Sequence, residues 1–283
     1  MKIFRRWLQK PVQQNPGAVA PVPLPPAMPA PVPSARPVPL RSAGLGSAPA
    51  FDRTPDKPEP FGYKVSWFAV RTADPALVLD ALELGAGTPA NWASGLAAVY
   101  ARGEDRWVFI SPPLNGWVMA ISTDWPYPTI ETQQEIGRKF DLLFSRLMKR
   151  FDDVQFFGRH RVSDFATWAR AVNGEPKRLF GWIGSNGEVF MNFGDQTPEE
   201  AKLGLVDLTG LSLQDSTDAI FKAAEEDGEK QDAGEESARR AFPDEDVVVE
   251  LAGLWSIDPS MLHEQDIPPG VGLAARLPNA LRQ

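Results

Sequence analysis

The chain of 283 residues contains no cysteine, so disulfides, zinc–thiolate sites and cysteine nucleophiles are all excluded. Histidine is nearly as scarce. The two present, His160 and His263, are far apart and lack the spacing that lets two imidazoles share a metal. No G-x-S-x-G nucleophile turn and no EF-hand loop occurs. Gly85-Ala86-Gly87 follows an expected helix, whereas phosphate-binding loops follow a strand and open a helix. No apolar run reaches membrane-spanning length. The start "MKIFRRWLQK" has the charge of a signal peptide, but Pro11 interrupts it before any apolar core. These absences argue for a cytoplasmic protein with no cofactor and no metal.

Acidic residues are missing from positions 1–50, which hold six Lys/Arg. The remainder carries 23 basic against 37 acidic residues, or −14. A field of that sign repels phosphate backbones, so nucleic acid is not the expected partner; a basic protein is.

Fifteen of the 28 prolines lie between Pro11 and Pro60. Proline fixes φ and removes a donor, so residues 11–60 read as a disordered, solvated linker. Before it, Ile3, Phe4, Trp7 and Leu8 recur at helical spacing among Lys2, Arg5, Arg6 and Lys10. Phe4, Arg5, Arg6 and Trp7 are therefore candidate docking residues, for a partner groove or for peripheral contact with a membrane surface.

The rest suggests an α+β fold in two tandem units, 61–150 and 151–283, with antiparallel sheets. "YKVSWFAV" reads as a strand, and Asp74-Pro75 starts a helix that Gly85 stops. "DVQFFGRH" matches that strand at an offset of 89. Phe165, Trp168, Ala169 and Val172 match a helical face, which Gly174 would end. "WVFISPPLNGWVMAI" and "RLFGWIGSNGEVFMN" then read as hairpins with Asn-Gly turns. The unit strand, helix, strand, turn, strand would occur twice, an internal duplication. "NWASGLAAVYARGED", residues 91–105, would add one strand to the first copy. Thr132 with Glu135, and Thr197 with Glu200, read as capping boxes, and residues 225–240 as a solvated loop or frayed helix. "PDEDVVVELAGLW" restarts a helix, and "DIPPGVGLAARLP" ends extended.

"HRVSDFATWARAVNGEPKRLFGWIGSNGEVF", "TPEEAKLG" and "WSIDPSML" resemble a family of bacterial proteins of uncharacterised activity, over roughly residues 61–270. The resemblance implies no site residues.

Candidate chemistry is sparse. His160 ends a strand near Asp164 and is the best general-base candidate. Arg159 and Arg161 flank it as a candidate anion-binding corner. Trp125 and Tyr127, within "STDWPYPT", read as loop aromatics of the kind that anchor recognition. The reading that joins these features is a non-catalytic binding protein, of immunity or adaptor type, that neutralises a basic partner. The alternatives are a hydrolase-like enzyme using His160 with carboxylates, and a membrane-surface scaffold held by residues 1–10.

Overall fold

Strand β1 (Val65–Arg71) shows the logic of the whole architecture: six of its seven residues are apolar or small, without alternation, because both of its faces are covered. Val65, Trp67 and Ala69 enter one core, and Phe68 and Val70 the other. The computed structural model describes residues 49–130, 134–232 and 240–283. The candidate docking residues Phe4, Arg5, Arg6 and Trp7, most of the proline-rich stretch, and Thr132 lie outside these residues.

In chain order follow helix α1 (Pro75–Ala81), β2 (Thr88–Ala90), α2 (Trp92–Val99), β3 (Trp107–Ile110), β4 (Trp117–Ser122) and α3 (Gln134–Met148). Next come β5 (Asp153–His160), β6 (Phe165–Val172), β7 (Glu175–Ile183) and β8 (Glu188–Phe193). The chain then runs through α4 (Pro198–Lys202), α5 (Leu213–Asp232), α6 (Glu245–Trp255) and β9 (Gly272–Arg276). The nine strands form a single antiparallel sheet in the order β2-β9-β3-β4-β1-β5-β6-β7-β8.

The α+β expectation holds. Helices α1 and α3 cover one face through Val78, Phe140 and Phe144. Helices α2, α5 and α6 cover the other through Trp92, Ile220 and Val248. β1 pairs with β5, so the sheet crosses the boundary between residues 150 and 151. The extended C-terminal segment becomes β9, which inserts between β2 and β3.

The repeat does not hold element for element. β1 is followed by a helix, but β5 is followed by β6. The helical spacing of Phe165, Trp168 and Ala169 arises because β6 buries both faces: Trp168 points to one core and Ala169 to the other. Gly174 stops no helix. Asn173 and Gly174 have φ of 53° and 76°, and they turn β6 into β7 as a left-handed pair. Asn115-Gly116 does the same between Leu114 and Trp117. In the turn between β7 and β8 only Gly187 is left-handed. The extra strand expected in residues 91–105 is instead the helix α2, capped by Asn91. Residues 225–232 continue α5, the helical of the two alternatives for that stretch.

Residues 49–60 also depart from the solvated linker. Phe51 packs edge-on against Trp107 at 5.1 Å. The Asp56 carboxylate accepts hydrogen bonds from the backbone N–H of Trp92 (2.7 Å) and Ala93 (2.9 Å), at the N-terminus of α2. Two orphan donors of that helix are thus satisfied by a residue from the linker's end.

Candidate functional site

A single row of side chains crosses four strands on the α6 face. Arg159 on β5 pairs with Ala166 on β6, Ala166 with Trp182 on β7, and Trp182 with Val189 on β8. The segment leading into α6 lies over this row, with Phe242 at the tryptophan end and Glu245 at the arginine end.

Alternation along β5 turns Gln155, Phe157 and Arg159 to the same face. Arg159 is therefore drawn inside, at 6 % exposure. The ring of Tyr63 lies over its guanidinium at 5.1 Å. Asp244 caps α6 by accepting from the N–H groups of Asp246 and Val247, which fixes Glu245 in the first turn. The Glu245 carboxylate stands 3.7 Å from Arg159 Nη2 and 3.6 Å from Arg161 Nε. Those distances exceed the charge-assisted hydrogen-bond range. Arg159 Nε and Glu245 Oε2 are buried without a hydrogen-bond partner.

Burial raises the Glu245 carboxyl above its ordinary value; Arg159 and Arg161 oppose the shift, and like charge on Asp246 and Asp164 adds to it. Arg159 and Arg161 both face the Glu245 carboxylate. Nearby Tyr100 is pushed up to about 12 by burial, against the backbone hydrogen bonds of Gly62 and Tyr63 and the charge of Arg159.

At the other end of the row three rings form a cluster. Phe221 and Phe242 lie 6.1 and 6.0 Å from Trp182, and 5.8 Å from each other. Trp182 is buried, but Phe221 is 40 % and Phe242 43 % exposed. Phe221 sits over the β7–β8 turn at Gly187, where a Cβ would come within 2.9 Å of its ring. On the outer face of α5, Asp218 and Glu225 stand one turn to either side of Phe221, and both are exposed.

Beneath Ala241 and Pro243 lies a small cleft of about 10 Å³, with Arg178 and Glu200 in its wall. Arg178 Nε donates to Glu200 Oε1 at 2.9 Å, and Trp168 Nε1 donates to the same oxygen at 2.8 Å. Glu200 Oε2 accepts from Thr197 N at 2.8 Å, completing the expected capping box of α4. Arg178 Nη1 donates to Asn192 Oδ1 at 2.7 Å. These mutual partners tie β6, β7, β8 and α4 together, a structural role. Neither Arg178 nor Glu200 stood out in the sequence as a pair; the capping box was the available signal for Glu200.

The remaining candidates fall elsewhere. His160 is exposed, and its Nδ1 lies 3.5 Å from Ser163 Oγ. Among the described residues it forms no ion pair with a carboxylate, the contact a hydrolytic base would use. No group of three or more His, Asp or Glu among the described residues could hold a metal ion. Trp125 is no surface anchor: it is 0 % exposed, donates from Nε1 to Ala120 O at 2.9 Å, and meets Phe68 edge-on. Tyr127 packs half-buried against Phe165 (4.9 Å) and Phe190 (5.6 Å). Their flanking prolines lead the chain across the core edge rather than into solvent.

Comparison with protein families, curated proteins and solved structures finds no match to this chain. Among the described residues no helix is long and apolar enough to cross a membrane.

Proposed function

We propose that this protein is a non-catalytic binding protein that takes a basic, amphipathic segment of a protein partner on the Phe221–Phe242–Trp182 surface. The observation that carries this reading is the pair of half-exposed phenylalanines in tilted contact with a buried tryptophan, with the exposed Asp218 and Glu225 one turn to either side of Phe221. Apolar side chains of the partner would cover the two rings, which hold most of the attainable affinity, since burying an aromatic ring is worth about 1.5–3 kcal/mol. A guanidinium or ammonium over a ring adds about 0.5–1 kcal/mol at an exposed site. Each carboxylate pair at the rim adds roughly 0.2–1 kcal/mol and mainly sets the sign of the partner and the speed of encounter. An immunity-type or adaptor role in the cytoplasm is a form of this reading.

Equilibrium titration of the full chain with short synthetic peptides tests it. A basic amphipathic peptide should bind, and its acidic counterpart of equal hydrophobicity should not. Replacement of Phe221 and Phe242 by Ser should remove the difference. Equal binding of both peptides, or binding indifferent to those substitutions, would exclude this surface.

A further inference from the structure

The same surface has a candidate occupant within the chain, and this inference rests on the reading just given. We propose that residues 1–10 dock on the Phe221–Phe242 patch of their own chain and compete there with the partner. Ile3, Phe4, Trp7 and Leu8 supply apolar side chains at helical spacing, and Lys2, Arg5, Arg6 and Lys10 supply positive charge. The patch offers the complement: two open rings, with Asp218 and Glu225 beside them.

The connection also leads the right way. Phe51 packs on the core that contains Trp182 and Ile220, so the chain leaves the body on the face that carries the patch. Phe51 meets Trp107 on β3, six strands from β8 in the sheet order. At the usual strand spacing that is roughly 29 Å. Residues 11–48 have a contour length on the order of 120 Å. Tethering then replaces an encounter in solution by an effective concentration that can approach millimolar. A ten-residue contact too weak to matter between separate molecules is populated under those conditions.

The absence of cysteine makes the test clean. Gln9→Cys is combined with Lys222→Cys, an exposed position beside Phe221, in the full chain, beside a control combining Gln9→Cys with Leu77→Cys; none of these removes a ring, a basic residue of the arm or a carboxylate of the patch. Leu77 is exposed on α1, on the opposite face of the sheet. After mild oxidation, the patch pair should close within one chain about tenfold more readily than the control. Adding Phe221→Ser, or Arg5→Glu with Arg6→Glu, should abolish that preference. Equal closure of the two pairs, no closure, or closure only between two chains would overturn the proposal. If the patch pair fails to close while a basic peptide still binds at Phe221, the binding reading survives and the intramolecular one does not.

Discussion

Arg159 and Trp182 meet Ala166 from opposite sides, one on β5 and the other on β7, in one row of the sheet. Through that row, the ionic corner under Glu245 and the aromatic cluster at Phe242 share one support. The exposed chemistry at this end of the molecule is therefore held by buried strand residues.

Trp125 and Phe221 are the sharpest contrast. Trp125→Ala should cost about 3–5 kcal/mol of stability, the range for emptying a buried aromatic site, and leave peptide binding unchanged in the surviving folded fraction. Phe221→Ala should shift stability by less than about 1 kcal/mol, because the ring is partly exposed, and should weaken binding. Urea unfolding alongside peptide titration measures both.

Arg178 and Glu200 should behave as a buried pair. Arg178→Met alone should destabilise by about 3–5 kcal/mol, since it leaves the Glu200 carboxylate buried with only Trp168 and Thr197 N to bond it. The double variant Arg178→Met with Glu200→Leu should recover part of that loss. Denaturant unfolding of the two single variants and the double variant gives the coupling.

Tyr100 predicts an alkaline limit. An acid whose folded pKa lies above its unfolded value keeps its proton longer in the folded chain. The unfolded chain then releases its proton first, and stability falls as pH rises from about 10 to about 12. Absorbance titration of the three tyrosines should show one ionising near 12. Tyr100→Phe should remove that step and flatten stability over the same window.

Asp56 and Phe51 should matter although they lie in a stretch rich in proline. Asp56→Ala removes the acceptor for two N–H groups of α2 and should cost about 0.5–2 kcal/mol, as for a lost N-cap. A truncated chain lacking residues 1–60 should melt below one lacking residues 1–48. Thermal unfolding of the two truncations makes the comparison.

Much of the fold was legible from local chemistry. Asp74-Pro75, Thr197 with Glu200, and Asn115-Gly116 each acted as their residue types require. The strand β6 was misread for a physical reason. A strand buried on both faces loses its alternation, so Phe165, Trp168 and Ala169 also fit a helix. The Asn173-Gly174 dipeptide that follows is a strong hairpin signal and would have decided between them. The site was less legible. Flanking prolines made Trp125 and Tyr127 look exposed, whereas Phe221 and Phe242 are ordinary residues in polar surroundings. Only the packing of α5 against β8 and the path into α6 bring those two rings together over Trp182.

The central claim is that a basic segment is drawn to the Phe221–Phe242 surface by charge and retained there by the rings. Stopped-flow association and dissociation of a basic amphipathic peptide with the full chain, at low and at physiological salt, tests it most directly. The Debye length shrinks to roughly 8 Å at physiological ionic strength, so the association rate should fall steeply. Dissociation should change little with salt and should speed up about tenfold or more in Phe221→Ser. An association rate indifferent to salt, or a dissociation rate unchanged by Phe221→Ser, would contradict the account.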